Sequence, residues 1–505
     1  MSLNYNFIWL LCYLLVLVGL AGYGFHRLSI VYLYWKNRNN KPQPKARFQE
    51  LPVVTVQLPM FNEKFVVDRL LESVAALDYP QDKLEIQILD DSTDDTTEQC
   101  YRKVEELKSR GFDAVCIHRT DRTGFKAGAL EAATKVAKGE FLLILDADFV
   151  PEPDLLQKTI HFFTDENVGL VQTRWGHINR EYNLLTRIQG MYLDGHFAME
   201  QTARNRSGRF FTFNGTAGIW RKCVIGDAGG WSHDTLTEDM DLSYRVQLRG
   251  WRFIYLNDVV TPAELPVDMD GFKSQQHRWT KGSIQVCQKI LLDIWRSNAP
   301  LKAKVEATTH LTCNYSYLLL ALLCFLVYPI CTQRIPENET VFMWFVNVAL
   351  FFMTSVAVCI FYMSAQIVVR PKSWWKELPY LPLLLTLSVG MAVNNAKAVL
   401  EAIFGHQSAF VRTPKYGVDR KEDRRHVSQL KRNVNRAIKS VVIPVLEIAC
   451  GTFFLNLIII MIRQGHYLSP ILMIPFLGFY YTGFCSLGRM ISNLLPAKQT
   501  AKAKN

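Results

Sequence analysis

The sequence has no CxxC pair, no GxxxxGK[ST] loop, and no GxGxxG after its first strand-length apolar run. Each absence removes a class of protein. Without paired cysteines there is no zinc ribbon, and eleven scattered cysteines, several of them inside apolar runs (Cys12, Cys324, Cys359, Cys450), read as reduced packing residues and not as a disulfide framework. Without either glycine-rich loop, a P-loop ATPase and a dinucleotide oxidoreductase are both disfavoured. Negative charge is in short supply, with 46 Asp and Glu against 57 Lys and Arg and a net charge of +11. The basic excess gathers beside long apolar stretches, at Lys36–Arg47, Arg412–Lys439 and Lys498–Lys504. That placement points to a lipid bilayer as partner and away from nucleic acid.

What is present is apolar and ordered. Hydrophobic residues make up 49% of the 505, material for two or three domains. Residues 7–25 are long enough to cross a bilayer core and lack the basic start of a signal peptide, so they predict a retained anchor. The basic flank that follows predicts that the next residues are cytosolic. From 52 to about 300, short apolar stretches alternate with amphipathic ones, which predicts an α/β domain. Strands are expected at Val53–Leu58, Leu84–Leu89, Ala114–His118 and Phe141–Leu145.

Three of these strands end in polar groups: Pro59-Met-Phe-Asn-Glu63 after the first, Asp90-Asp91 after the second, Asp146-Ala-Asp148 after the fourth. Open α/β sheets bind ligands at the carboxyl ends of their strands, and a nucleotide fits such an edge. Asp146 and Asp148 are spaced to hold one hard divalent cation together with phosphate oxygens, although a solvated acidic turn would read the same. Between the acids, Arg119–Ala129 is a basic, glycine-containing loop opening a helix, and its cations Arg119, Arg122 and Lys126, with the helix N-terminus, suit a diphosphate. Phe211-Thr-Phe213-Asn214-Gly215-Thr216 reads as a strand running into a turn. Asp239, in Thr237-Glu238-Asp239, stands near a helix start, where an acid serves as a cap or, set against a hydroxyl, as a general base. Gln275-x-x-Arg278-Trp279 lies in an amphipathic stretch reaching Ile294. It is either an interfacial anchor or a helix whose Trp279 stacks on a sugar while Arg278 and Gln275 hold phosphate.

Taken together and in this order, Asp90-Asp91, Asp146-x-Asp148, Thr237-Glu-Asp239 and Gln275-x-x-Arg278-Trp279 resemble the D, DxD, TED, QxxRW set of the family 2 glycosyltransferases. KAGAL, DADF, FNGTAG, EDMDL and QQHRW bring the resemblance closest to the cellulose-synthase-like mannan and glucan synthases of plants and their bacterial relatives. The resemblance implies a GT-A catalytic domain joined to an α-helical transmembrane domain, with Mg²⁺ or Mn²⁺ as cofactor. It implies a nucleotide-sugar donor, GDP-mannose or UDP-glucose, and a growing glycan as acceptor. Under it, Asp90 and Asp91 contact base and ribose, and Asp146 and Asp148 hold the metal and diphosphate. Asp239 is the base, with Glu238 beside it. Glu63, Lys126, Gln275 and Arg278 complete the donor site, and Phe213, Asn214, Gly215, Thr216 and Trp279 line the acceptor site.

Beyond 300, residues 310–332, 342–369, 441–462 and 468–491 are spanning candidates, which with 7–25 gives five, or six if 378–404 also crosses. That stretch reads as re-entrant or interfacial, since basic segments flank it on both sides. Phe410-Val-Arg412-Thr413-Pro-Lys415 resembles the FxVTxK gating loop of cellulose synthase, with Arg412 in place of valine, and implies Thr413 and Lys415 on the donor phosphates. The expected division is an anchor at 1–35, a cytosolic catalytic domain at 36–305, a membrane region at 306–495 carrying the loop at 405–440, and a basic tail at 496–505. A multi-pass protein of the plasma (inner) membrane or Golgi follows, polymerising a β-linked hexose chain of β-1,4-mannan or β-glucan type. The rivals are a lipid glycosyltransferase of ceramide or polyprenyl-phosphate type, and a non-catalytic scaffold, which the full set of acids speaks against.

Overall fold

A computed structural model describes residues 2–332, 352–406, 413, 415–418, 441–464 and 470–494. A long helix α1 (Ser2–Asn37) leads into a sheet built from β1 (Val54–Met60), β2 (Leu84–Asp90), β3 (Asp113–His118), β4 (Phe141–Ile144), β5 (Val168–His177), β6 (Gly218–Arg221) and β7 (Arg252–Ala263). Between the strands run α2 (Val67–Ala75), α3 (Thr96–Ser109), α4 (Phe125–Val136), α5 (Leu155–Thr159), α6 (Leu184–Asp194), α7 (Thr202–Arg206), α8 (Lys222–Asp227) and α9 (Glu238–Leu248). Then follow α10 (Met269–Arg296), α11 (Leu301–Thr312) and α12 (Tyr315–Thr332).

The apolar run at 141–145 shows why the sheet forms. Phe141, Leu143 and Leu145 pack on one side with Val56, Leu58 and Leu70, while Leu142 and Ile144 pack on the other with Leu130, Trp220 and Phe253. A strand covered on both faces needs an unbroken apolar run, which is what the sequence supplies. The sheet order is β3-β2-β1-β4-β6-β5-β7. β1, β2, β3 and β4 pair in parallel, β6 is antiparallel to both β4 and β5, and β5 and β7 are parallel. Met60 stands opposite Asp90. The residues that follow β1, β2, β4 and β7 therefore emerge along one edge.

The expected strand around 211–213 is absent. α9 side chains take its backbone groups instead: the Phe211 N–H donates to Gln247 Oε1 at 3.3 Å, Gln247 Nε2 donates to the Phe211 carbonyl at 2.8 Å, and the Phe213 N–H donates to Ser243 Oγ at 2.9 Å. With those groups taken, no ladder can form.

Among the described residues, two helices are long and apolar enough to cross a membrane, Ile8–Asn37 and Val442–Arg463. Two bent pairs pass the same test together: α11 with Tyr315–Tyr328 at 52°, and Trp374–Gly390 with Ala392–Ile403 at 41°. Leu15, Val18 and Phe25 on the first helix, and Val442, Val445 and Leu446 on the last, turn apolar side chains outward, a surface suited to lipid. The stretch expected to span from 310 is broken at its start, between Thr312 and Tyr315. Ahead of the break, His310 Nδ1 lies 2.9 Å from the Tyr244 hydroxyl, and Glu306 accepts from Arg204 Nε at 2.9 Å. The segment from 333 to 351 lies outside the described residues, as do Phe410 and Arg412 of the loop.

Candidate active site

The strand edge opens into a cavity, and its acids are held by neighbouring cations. Asp146 leaves β4 with its N–H donating to Thr216 Oγ1 at 2.8 Å. Its Oδ1 accepts from Lys126 Nζ at 2.5 Å, and the same ammonium donates to the Gly215 carbonyl at 2.9 Å. Burial alone would pull Lys126 down, but Asp146, Glu238 and Asp239 outweigh it and hold the ammonium above its ordinary value. Asp148 is buried, and Lys415 Nζ donates to its Oδ2 at 2.5 Å. Among the described residues no three His, Cys, Asp or Glu converge as a closed metal cage. Two neighbouring carboxylates suit Mg²⁺ or Mn²⁺ nevertheless, because a hard cation of this size takes one or two carboxylates and fills its shell with phosphate and water. Asp146 and Asp148 would hold it.

Asp91 lines the cavity, and Arg119 grips both its oxygens, Nε to Oδ1 at 2.9 Å and Nη2 to Oδ2 at 2.6 Å. Asp90 is placed otherwise. It is fully buried beneath the edge, with His118 Nδ1 at 2.8 Å, the Thr97 hydroxyl at 2.7 Å and the Ser92 N–H at 3.1 Å from its carboxylate, so it braces the turn and does not line the cavity. Glu63 lines the cavity from the β1 turn. Thr216 also sits underneath, spending its hydroxyl oxygen on the Asp146 amide, whereas Phe213, packed against Trp220 with ring centroids 5.4 Å apart, lines the neighbouring aromatic cavity.

Asp239 is the second residue of α9. Its Oδ1 accepts the Met240 N–H at 2.8 Å. Burial, and after it the charge of Glu238, push its carboxyl up to about 7, against the pull of the Met240 N–H, Lys126 and Arg278. Gly215 has φ +80, and a Cβ there would lie 3.0 Å from Asp239 Oδ2. The glycine of the FNGT turn thus lets the backbone close on this carboxylate.

Gln275, Arg278 and Trp279 reach the same cavity from α10, and Thr413 and Lys415 reach it from the loop. Behind Asp239 and Trp279 lies a second cavity. Trp175, Tyr192, Phe197 and Tyr362 give it an aromatic wall, and Arg27, His196, Glu200, Asn214 and Gln276 supply polar groups. Asn214 Oδ1 accepts from Gln201 at 2.7 Å, while its buried Nδ2 has no hydrogen-bond partner among the described residues. Burial takes the His196 imidazole down to about 3, leaving it neutral. Asp239, Asn214, Thr237 and Trp279 line both cavities.

Arg122, one of the loop cations read as suiting a diphosphate, lines the cavity with its guanidinium 3.5 Å from the Phe61 ring centroid, whereas His177, Arg27 and Glu264 escaped the sequence reading. Glu264 was findable, since it follows β7 at the same edge as the other strand-end acids. Arg27 carried no signal, being part of a membrane-directed helix.

Residues 52–282 match the family model described as glycosyltransferase like family 2, and residues 218–464 match the one described as cellulose synthase. Among curated proteins, glucomannan 4-beta-mannosyltransferase 2 of Arabidopsis thaliana is 42% identical over 286 residues, covering 54% of this chain and 53% of its own length. Glucomannan 4-beta-mannosyltransferase 1 of Oryza sativa subsp. japonica is 40% identical over 277 residues, with the same two shares. The chain spans about half the length of these curated relatives. Among solved structures, a mannosyltransferase from Pyrobaculum calidifontis in complex with GDP-Man and Mn²⁺ superposes with a TM-score of 0.55 at 19% identity, covering 78% of this chain and all of that one, a likeness of fold. With the two family models running together from residue 52 to residue 464, the chain belongs to the family 2 glycosyltransferases, in the cellulose-synthase-like group.

Proposed function

We propose that the protein is a membrane-embedded inverting hexosyltransferase that lengthens a β-linked polysaccharide, with GDP-mannose as donor and a 4-β-mannosyl linkage as product. One observation carries this reading: Asp239 stands at the partition between a cavity lined by acids and cations and a cavity walled by aromatic rings. The first suits a nucleoside diphosphate, whose charge Lys126, Arg278 and Lys415 offset. The second suits a sugar chain, which aromatic faces bind without demanding one register. Mannose is favoured over glucose by the names of the curated relatives.

In this mechanism an acceptor hydroxyl enters from the second cavity, and Asp239 takes its proton as the oxygen attacks the anomeric carbon. Lys126 and Arg278 face the departing diphosphate, Asn214 Nδ2 donates to the acceptor sugar, and Trp279 supports its ring. Attack opposite the leaving group inverts an α-linked donor to a β-linkage. A divalent ion at Asp146 and Asp148, when bound, neutralises charge on the diphosphate. The cytosolic placement of the catalytic domain, several membrane crossings and passage of the chain between the helices belong to the same proposal.

The test is purified protein in nanodiscs, offered GDP-mannose or UDP-glucose, each radiolabelled, with Mn²⁺ or with excess EDTA, followed by linkage analysis. Metal-dependent incorporation from GDP-mannose into a β-1,4 product is expected. Incorporation from UDP-glucose alone would replace the donor, and full activity in EDTA would remove the metal from the mechanism.

A further inference from the structure

Glu264 has no part in the mechanism above, yet few carboxylates here are so fully engaged. It follows β7 directly, is 3% exposed and lines the donor cavity. Its Oε1 accepts the backbone N–H of Tyr416 at 3.0 Å, and its Oε2 accepts those of Gly417 and Val418 at 3.0 and 3.2 Å. Three successive N–H groups converging in this way form an anion cradle. Here the anion is a side chain of the protein itself. The turn depends on Gly417, at φ +66, where a Cβ would lie 2.7 Å from the Phe65 carbonyl oxygen. Arg69 approaches Oε2 at 3.5 Å as a countercharge. Tyr416 and Val418 pack with Tyr182 and Val267, so the segment is fixed on its apolar side as well.

The consequence falls one residue earlier. Lys415 donates to Asp148 Oδ2 at 2.5 Å and to the backbone carbonyl of Glu264 itself at 3.2 Å. Burying a carboxylate is unfavourable unless charge-assisted hydrogen bonds compensate it, and the cradle supplies them. Carboxylate and cradle together hold the lysine stem in one place.

We propose that Glu264 is a positioning residue: by filling the backbone cradle of Tyr416–Val418 it sets the Lys415 ammonium beside Asp148, where it meets the donor diphosphate. This rests on the reading of the cavity as a nucleotide-sugar site. An ammonium so placed contacts the diphosphate before and during transfer alike, so its loss acts on donor KM more than on kcat.

The test is a double-mutant cycle in nanodiscs with GDP-mannose as probe, comparing wild type, E264Q, K415A and the double variant. E264Q and K415A should each raise donor KM about tenfold, the loss expected of a charged hydrogen bond, with kcat changed much less. The double variant should be no worse than K415A alone, because Glu264 acts through Lys415. G417A, which disturbs the cradle without touching the carboxylate, should raise KM in the same way and guards against a folding defect in E264Q. Additive effects in the double variant, or an unchanged KM in both E264Q and G417A, would overturn the proposal. Failure of the underlying reading looks different: wild type then transfers no sugar from either nucleotide, and both fall.

Discussion

Asp239 is where the chemistry concentrates, and its environment predicts a pH profile. With its carboxyl pushed up to about 7 by burial and by Glu238 in the free protein, the group is protonated below that pH and ionised above it. Only the ionised form can accept the hydroxyl proton, so kcat/KM should fall as pH drops through about 7 and level off above it. Asp239→Asn should lower turnover by about 10²- to 10⁴-fold while donor KM stays near wild type. Steady-state kinetics in both substrates checks this, and lost donor binding with intact turnover would assign Asp239 to the wrong side of the reaction. At this scale the sequence was readable where an acid followed an expected strand, as at Asp91, Asp146 and Asp148, and it missed Glu264, which follows β7. It was silent on which of two adjacent acids faces the ligand: Asp91 lines the cavity, whereas Asp90 turns under the edge to His118 and Thr97. Thr216 likewise read as an acceptor residue because its turn did, but its hydroxyl supports the Asp146 amide.

Among the elements, α10 does most to join the two cavities. Gln275, Arg278 and Trp279, at i, i+3 and i+4, share one helical face, as their spacing foretold. The helix also lies hard against the turn before Asp239: a Cβ on Gly282 would fall 2.5 Å from Thr237 Cγ2 and 2.9 Å from its backbone nitrogen. Trp279 lines both cavities and packs with Leu193, Phe197 and Leu265. Trp279→Ala should therefore reduce polymer formation more than it reduces donor hydrolysis, in which water stands in for the acceptor and needs no aromatic support. Parallel assays of released nucleotide and of insoluble or high-mass product distinguish the two, and equal losses would reduce Trp279 to a packing residue. Elements whose ends are set by distant partners were the ones misjudged. Residues 211–213 look like a strand, but Gln247 and Ser243 take their backbone groups. Residues 310–314 read as continuous with the span that follows, but the chain bends by 52° there and His310 meets Tyr244. Local propensity cannot register either contact.

For the whole molecule, the question is what joins the sheet to the helices around it. The second cavity is walled by both: Phe197 and Asn214 come from the catalytic domain, Arg27 from α1, and Phe361 and Tyr362 from the helix Ala357–Val369. Arg27 pairs with Glu200 and stacks on Phe361 at 4.6 Å, and Arg204 pairs with Glu306. A buried ion pair of this kind is worth little for stability in itself, but losing one partner strands a charge, so it fixes how the two parts meet. The periodicity of the sequence separated catalytic and membrane regions, and it could not show that they share a cavity wall. On the proposed function, a polymer started at Asp239 has a path that begins inside the protein, and the measurement that bears most directly on this account is the size and linkage of what wild-type enzyme makes from GDP-mannose. Gel filtration before and after digestion with an endo-β-1,4-mannanase should show high-mass product that collapses to oligosaccharides. A single mannose on a lipid, with no high-mass product, would contradict polymerisation and leave a lipid glycosyltransferase in its place.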